Sequence, residues 1–334
     1  MKRLIWISII CTIIGFTSCG GHTQKNIRMV DTIALTPCPH FVSDSALKFI
    51  QEQCLFGPRI TGSEASQKCG DYIENCFRQF GATVENQYGM VTLYDGTQLK
   101  ARNIVASINP DNTDRILLCS HWDSRPWADN DPDNSKHKTP ILGANDGASG
   151  VAVMIELCRL MQQNPLSIGI DFVCFDAEDL GLPQWEEDRE NSEETWCLGS
   201  RLWAQKAKEN NYHARYGILL DMVGGYGCTF SKELISTHFA APIVEQLWKL
   251  AKQLGYGHFF PMEEGGTLVD DHLNVNRIAR IPCLDIVPYF KEGPSCFGPT
   301  WHTVNDTPKN IDPNVLEAVG QSLTQMLYNE APQQ

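Results

Sequence analysis

The stretch that decides the fold reads IGIDFVCFDAED, at residues 168–179. It opens with a nearly continuous apolar run, which is followed by Asp176, Glu178 and Asp179. A strand that is apolar on successive residues is buried on both faces, as in a parallel sheet covered by helices. Carboxylates at the end of such a strand need a partner, so we expect a function at this point. Neighbouring side chains on a regular strand face opposite ways, which raises the question whether Glu178 and Asp179 share one task.

Strands and helices alternate on both sides of this stretch. The alternation predicts an α/β fold, a three-layer α/β/α sandwich with a mixed, mostly parallel central sheet. Asp95-Gly96 predicts a hairpin turn, and Ser43 and Ser63 are the expected N-caps of the first two helices. The expected helices cover 43–54, 63–80, 147–161, 198–208, 240–254 and 312–329, and the expected strands cover 83–94, 98–108, 115–120, 168–175, 216–220 and 280–288.

The composition is that of a soluble globular protein with an acidic balance. The chain has 334 residues, of which 42% are hydrophobic and 20% are charged, and its formal net charge is −13. A protein that binds nucleic acid usually carries a basic face, so this charge argues against nucleic acid as a partner. No repeat, linker or second core is visible in the sequence. We therefore expect residues 41–330 to form a single domain and the protein to be a monomer.

The N-terminus has the pattern of an export signal. A basic start, a short apolar run and the residues TSC are typical of a bacterial lipoprotein, and the apolar run is short for a membrane span. We expect residues 1–19 to be the signal, Cys19 to be lipidated and residues 20–40 to be a tether. Gly20 in place of aspartate favours the periplasmic, inner leaflet of the outer membrane. The alternative is an ordinary signal peptide that is cut near Cys19.

Cysteine usage does not point to a metal site made of thiolates. Of the 13 cysteines, two fall within the signal, and the odd number that remains implies at least one free thiol. Cys69 and Cys76 lie on one predicted helix and are too far apart to bridge. An oxidising compartment would permit other pairs, which the sequence leaves open. The chain has no C-x-x-C pair, so a zinc site built on thiolates is not expected.

Polar residues gather where the predicted strands end. Ligands bind at the carboxyl ends of the strands in sheets of this kind. A dry pocket does not hold several unpaired carboxylates, and a divalent cation is the natural neutraliser. Oxygen and nitrogen donors without sulfur suit a catalytic zinc ion with one open position. The residues concerned are His121, Asp123, Asp146, Asp176, Glu178, Asp179, Asp221, Asp270, Asp271, His272 and His302.

Five short motifs follow one another along the chain: HWD (121–123), GANDGASG (143–150), FDAED (175–179), LLDMVG (219–224) and WHTVND (301–306). Together they resemble the co-catalytic zinc aminopeptidases, and more closely the animal-type, zinc-dependent glutaminyl cyclases built on the same fold. The resemblance extends from about Gly57 to the C-terminal helix, and its specificity lies in the order of the motifs. It implies a zinc aminopeptidase-like fold and one catalytic domain.

The resemblance also implies the metal ligands. One zinc of the parent aminopeptidases binds a bridging aspartate, a carboxylate of the acidic pair and a late histidine, which here are Asp146, Asp179 and His302. A second zinc would use His121 and Asp221. Glutaminyl cyclases hold one zinc, so one per chain is expected. Related enzymes usually have glutamate at the ligand position that the shorter Asp179 occupies.

The reaction implied is the cyclisation of N-terminal glutamine in peptides and proteins to pyroglutamate, with release of ammonia. Zinc would polarise the γ-carbonyl. Glu178 would be the general acid and base, held by hydrogen bonds with Asp221 and Asp270. This set of roles follows from the resemblance and not from the spacing of the residues.

Aromatic residues match the walls of a narrow substrate pocket in the same enzymes. Trp301, directly before the ligand histidine, and Phe297, four residues earlier, match two of these walls. Trp185 matches a third wall less closely, because the spacing differs by one residue. A pocket of this kind suits a glutamine side chain.

Two other functions are compatible with parts of this pattern. A dizinc aminopeptidase would use Glu178 to activate a bridging hydroxide, and the residues for its second zinc are present. An inactive binding protein on this fold would have lost ligands, and none is lost. Taken singly, Asp146 could cap a helix, and His121 and Trp301 could be core residues. Only their shared location favours a metal site.

Overall fold

The computed structural model describes residues 32–186 and 192–331. The predicted signal, Cys19 and the first part of the predicted tether lie outside the described residues. The described residues from Ile33 onward belong to one compact unit. Within these ranges, no helix combines the length and the hydrophobicity that crossing a bilayer requires.

A six-stranded sheet forms the middle layer. Its strands are β1 (Thr83–Thr92), β2 (Gln98–Ile108), β3 (Arg115–His121), β4 (Gly169–Phe175), β5 (Gly217–Leu220) and β6 (Cys283–Ile286). The strand order is β1-β2-β4-β3-β5-β6. The hairpin of β1 and β2 is antiparallel and joins β4 in the antiparallel sense, whereas β3, β4, β5 and β6 are parallel to one another. The mixed, mostly parallel sheet expected from the sequence is confirmed.

Helices cover both faces of the sheet. They are α1 (Ser43–Cys54), α2 (Glu64–Gln79), α3 (Ala148–Gln163), α4 (Leu198–Glu209), α5 (Leu234–Gln253), α6 (Asp271–Asn274) and α7 (Pro313–Glu330). A π-helical turn, Val275–Ala279, follows α6, and short 3-10 turns lie at Asn134–Lys136, Ser192–Thr195 and Pro308–Asn310.

The continuous apolar strands divide their residues between two cores. Ile116 and Leu118 of β3 belong to the larger core, which includes α1, α2, α3, α5 and α7. Leu117 and Cys119 face the other way, into a smaller core formed with α4 and the π-helical turn. Because successive side chains of a strand alternate in direction, both halves of an apolar run become buried. The three-layer arrangement follows from this burial.

Some predicted helix boundaries differ from the structure. Ser63 caps α2 as expected, but Ser43 is the first residue of α1 and Val42 precedes it as N-cap without a side-chain hydrogen bond. Helix α5 begins earlier than expected, because Glu233 caps it. It bends at Ala240, two residues before Pro242, and the sequence pattern captured only the part beyond the bend.

All eleven cysteines within the described residues are free. Nine are buried and two, Cys38 and Cys296, are half-buried. The expectation of at least one free thiol is confirmed, and the nine buried cysteines act as small core residues.

Candidate active site

Three parallel strands bring their last residues to one edge of the sheet. β3 ends at His121, β5 is followed by Asp221, and β4 leads into the turn that carries Glu178 and Asp179. Asp146 reaches the same edge from the loop before α3. All of these side chains are buried except Glu178, which is partly buried. The convergence expected from the sequence is present at the carboxyl edge.

Asp146, Asp179 and His302 form a compact buried group. His302 Nε2 lies 3.1 Å from Asp179 Oδ1 and 3.6 Å from Asp146 Oδ2. The second oxygen of Asp179, Oδ2, and Asp146 Oδ2 are buried and accept no hydrogen bond from the described residues. Carboxylate oxygens without a donor, next to an imidazole nitrogen, suit zinc, which in catalytic sites binds three such ligands and keeps one position open. The ligand set expected from the sequence therefore fits the metal.

The carboxylate of Asp146 does not cap a helix. Gly147, at φ 96°, is the N-cap of α3, and no side chain caps the helix there. The loop is held instead by Asp306, whose carboxylate accepts hydrogen bonds from the backbone N–H groups of Asn145 and Asp146 at 2.8 and 3.1 Å. The Asp146 side chain is left to face the two histidines. The sequence had given Asp306, the last residue of WHTVND, no role.

A second group shares Asp146 with the first. His121 Nε2 lies 3.0 Å from Asp146 Oδ1 and 3.1 Å from Asp221 Oδ1. Burial opposes a charge on His121, but the contacts with Asp123, Asp146 and Asp221 raise its pKa well above the ordinary value. Burial raises the pKa of Asp221 to about 6, although the contact with His121 opposes this shift. The resemblance implied a hydrogen bond between Asp221 and Glu178, but the carboxylate of Asp221 contacts His121.

The turn after β4 sends its two adjacent acids to different places. Ala177 has φ 55°, in the left-handed region, so the strand geometry ends before Glu178. The carboxylate of Asp123 accepts the backbone N–H groups of Glu178 and Asp179, both at 3.1 Å, and fixes the turn. Asp176 supports the same turn, because its carboxylate accepts the hydroxyl of Thr61 at 2.6 Å. Glu178 then faces His121 Nδ1 at 3.8 Å, and Asp179 faces His302.

Glu178 lies in a buried, acidic environment. Its Oε1 is 3.4 Å from Cys197 Sγ, and Asp270, the N-cap of α6, contributes a carboxylate oxygen within 4.8 Å of both groups. Burial, followed by the charges of Asp179 and Asp270, raises the pKa of Glu178 well above its ordinary value, although His121 opposes the shift. Burial and neighbouring acids raise the pKa of Asp270 to about 7. Acids crowded in this way can hold a proton near neutral pH.

The aromatic residues predicted to line the pocket lie at different distances from the group of Asp146, Asp179 and His302. The Trp301 ring stacks on the His302 ring at 3.8 Å between centroids, and Phe297 packs on Trp301 at 4.8 Å. Trp185 is 41% exposed and meets the edge of Trp127 at 5.7 Å. Trp301 and Phe297 therefore lie directly beside the proposed ligands, whereas Trp185 belongs to a separate aromatic contact nearer the surface.

Arg125, Asp129 and Trp196 had no predicted role, and they surround His302. Arg125 is buried and donates to both oxygens of Asp129 at 2.8 and 2.6 Å. Asp129 Oδ1 lies 3.4 Å from His302 Nδ1 and so orients the ring, as outer-shell carboxylates do at metal sites. The Trp196 ring is parallel to His302 at 5.9 Å. Arg125 and Asp129 come soon after the HWD motif in the sequence, and this position is the signal by which they could have been found.

Comparison with known proteins identifies the family. Residues 103–327 match peptidase family M28. The chain belongs to this family. A glutaminyl cyclase from Bacteroides thetaiotaomicron, solved with N-acetylhistamine bound, is 49% identical and superimposes with a TM-score of 0.86 over 88% of this chain and 100% of that chain. A Zn-dependent exopeptidase from Parabacteroides distasonis is 46% identical, with a TM-score of 0.85 over 88% of this chain and 100% of that chain.

Curated relatives of this M28 protein are more distant. The glutaminyl-peptide cyclotransferase of Bos taurus is 25% identical over 248 residues, which are 66% of this chain and 64% of that protein. The Escherichia coli protein YfbL is 34% identical over 159 residues, 48% of this chain and 42% of its own length. The chain thus spans less than two thirds of these curated relatives. The predicted resemblance to zinc aminopeptidase-like proteins and glutaminyl cyclases is confirmed.

Proposed function

We propose that this chain is a zinc-dependent glutaminyl-peptide cyclotransferase, which converts N-terminal glutamine of peptides and proteins to pyroglutamate and releases ammonia. The observation that carries the proposal is the buried Asp270 carboxylate next to Glu178. A second acid beside the base allows a proton to be kept between two transfers within one reaction. The 49% identity with a glutaminyl cyclase over 88% of the chain supports the same activity.

Asp146, Asp179 and His302 would hold one zinc ion per chain. The unpartnered buried oxygens of the two aspartates support this assignment. When bound, zinc polarises the γ-carbonyl of the substrate glutamine. Arg125 and Asp129 would position two of these ligands, because Arg125 Nη1 lies 3.4 Å from Asp179 Oδ1 and Asp129 contacts His302.

Glu178 carries the proton transfers in this mechanism. The substrate's α-amine nitrogen attacks the γ-carbonyl carbon and forms the ring C–N bond, and Glu178 accepts the proton that this nitrogen loses. Glu178 then donates the proton to the amide nitrogen while its C–N bond breaks, so that ammonia leaves. The raised pKa of Glu178 suits a group that must both accept and keep a proton. The reaction consumes no water.

The aromatic residues would hold the glutamine side chain folded back on its own amine. Trp301 and Phe297 pack on each other beside His302 and would form the inner wall, and Trp185 would lie nearer the entrance. Such positioning holds the reacting atoms close together and can lower the activation free energy by on the order of 5 kcal/mol. A narrow aromatic wall also excludes water from the reacting atoms.

A dizinc aminopeptidase is the second candidate function. The observation that favours it is the intact group of His121, Asp146 and Asp221, which has the donors for a second zinc. A relative described as a Zn-dependent exopeptidase has 46% identity with this chain. In that reaction Glu178 would take a proton from water, and the peptide bond after the first residue would be hydrolysed.

One set of assays separates the two functions. We expect the purified protein to release ammonia from peptides that begin with glutamine, to contain one zinc per chain and to leave aminoacyl amides intact. Glu178→Gln should lower kcat by about 10²–10⁴-fold without loss of zinc, because it removes the acid and base only. Glu209→Gln, at an exposed acid on α4, should change nothing. Two zincs per chain, with cleavage of aminoacyl amides and no ammonia release, would establish the aminopeptidase instead.

We also propose that the protein is a periplasmic lipoprotein, anchored through Cys19 in the outer membrane. The basic start, the apolar run and the TSC sequence support this location. Mass spectrometry of the mature N-terminus tests it. A lipid mass on Cys19 is expected, and an unmodified N-terminal residue would exclude the anchor.

A further inference from the structure

A buried thiol lies beside the proposed general base. Cys197 Sγ is 3.4 Å from Glu178 Oε1, and one carboxylate oxygen of Asp270 completes a group of three donor atoms within 4.8 Å of one another. Cys197 is 3% exposed and Asp270 is 7% exposed. Neither Cys197 nor Asp270 belongs to the two groups that share Asp146. The edge of the sheet thus carries another donor set, with one sulfur and two oxygens.

Hydrogen bonds fix these three donors relative to one another. The backbone N–H of Cys197 donates to the carbonyl of Glu178 at 3.0 Å. Asn274, on the helix that Asp270 caps, donates from Nδ2 to the carbonyl of Cys197 at 3.0 Å. Cys197 itself has φ 56°, a left-handed conformation held by these contacts. A donor set that is already ordered loses little conformational entropy when it binds a ligand.

Acidic side chains crowd this group, and the imidazole of His121 lies 3.8 Å from Glu178 Oε2. Asp271 is fully buried, and neither of its carboxylate oxygens accepts a hydrogen bond from the described residues. Burial, followed by the charges of Glu178, Asp271 and Asp270, raises the pKa of Cys197 well above its ordinary value. The thiol therefore keeps its proton, and a divalent cation would both displace that proton and offset the carboxylates.

We propose that Glu178, Cys197 and Asp270 form an additional metal site, which takes a divalent cation with affinity for sulfur, such as Cd²⁺ or excess Zn²⁺, and that its occupancy inhibits the enzyme. Thiolate and carboxylate donors together suit zinc and softer cations and do not suit Mg²⁺ or Ca²⁺. On binding, the sulfur–metal bond forms and the thiol proton passes to solvent. Glu178, held by the cation, no longer accepts the proton of the substrate. Inhibition rests on the proposed function, whereas binding does not.

Cd²⁺ titration of the zinc-loaded full chain tests the site. We expect one Cd²⁺ per chain to bind in addition to zinc, with a thiolate-to-cadmium charge-transfer absorption in the ultraviolet and loss of cyclisation in parallel. Cys197→Ser should abolish the absorption and raise the half-inhibiting Cd²⁺ concentration by at least about tenfold, because the sulfur donor is gone. Cys38→Ser is the matched control: this half-buried thiol contacts Gln325 and should leave both readouts as in the wild type.

Several outcomes would overturn the site. These are equal inhibition of the wild type and Cys197→Ser, an absorption band that persists in Cys197→Ser, or inhibition that follows loss of the bound zinc. Cys197→Ala and Asp270→Asn are the second variants, each checked by thermal unfolding and zinc content, and each should weaken Cd²⁺ binding. A wild type that binds Cd²⁺ with the absorption band but never releases ammonia from glutamine peptides would support the site and contradict the proposed function.

Discussion

Glu178 and Asp179 are adjacent in sequence but have different neighbours. Glu178 faces His121 and Cys197, whereas Asp179 faces His302. The resemblance alone predicts different tasks for the two acids. The physical cause of their different neighbours is the left-handed conformation of Ala177 and the Asp123 carboxylate, which accepts the backbone N–H groups of both acids. Neither feature can be derived from composition or periodicity, because both depend on contacts between distant segments.

Replacement of Asp179 tests the ligand assignment. Asp179→Ala should weaken zinc binding by more than about 100-fold, since loss of an outer-shell partner alone costs about 10–100-fold and Asp179 would be a direct ligand. Asp179→Glu should retain zinc, because the resemblance to glutaminyl cyclases implies glutamate at this position. Zinc content after dialysis against a chelator is the measurement. The control, Asp133→Ala at an exposed acid, should stay fully loaded. Full zinc in Asp179→Ala would show that the roles of Glu178 and Asp179 were interchanged.

Replacement of Asp270 tests the proton-holding role. Burial and the charges of Asp179 and Asp270 raise the pKa of Glu178, so removal of one charge lowers it. Glu178 must be deprotonated in the free enzyme to accept a proton, and kcat/KM therefore rises with pH through its pKa. The acidic limb of the kcat/KM profile should move to lower pH in Asp270→Asn. Asp95→Asn, at an exposed hairpin turn, should leave the limb in place. A limb that moves to higher pH in Asp270→Asn would contradict the proposed coupling.

Elements that follow hydrophobic periodicity were predicted closely, and elements defined by local capping were not. The strands and α2, α3, α4 and α7 lie within a few residues of the prediction. The beginning of α5 and the short helix α6 were missed, because a buried Glu233 cap and a one-turn helix leave no repeat in the pattern. Asp270 caps α6, so one of the missed elements carries an acid of the site.

Replacement of Gly147 tests the junction between the loop that carries Asp146 and helix α3. A Cβ on Gly147 would lie 2.4 Å from the Asp123 carbonyl oxygen, and its φ is +96°. Gly147→Ala should lower the free energy of unfolding by at least about 3 kcal/mol and weaken zinc binding, because strain and a backbone clash add. Gly96→Ala, at φ +86° with nothing within 4 Å, should cost only about 1–2 kcal/mol. Equal unfolding midpoints in urea for the two variants would contradict the clash.

At the scale of the whole molecule, the sequence predicted the layers and the edge at which the site lies. Apolar strands buried on both faces require helices on both sides, and parallel strands place their ends together. The sequence did not predict the ring of Arg125, Asp129 and Trp196 around His302. Arg125 and Asp129 follow β3 and Trp196 precedes α4, and only the folded chain brings them together. Apolar packing therefore determines the layers of the fold, and polar contacts between distant segments determine the arrangement of the site.

At the scale of the whole molecule, we predict that the described cysteines stay reduced and contribute no disulfide to the stability. All eleven described cysteines are free, so urea unfolding should give the same free energy with and without reductant, within about 0.5 kcal/mol, whereas a disulfide would contribute about 2–4 kcal/mol. Alkylation of the denatured protein should label the same eleven cysteines under both conditions. Burial raises the pKa of Cys54 to about 11 and of Cys158 to about 12, and disulfide exchange requires the thiolate. These thiols should therefore survive even an oxidising compartment. Fewer labelled cysteines without reductant, together with lower stability after reduction, would show that a disulfide forms.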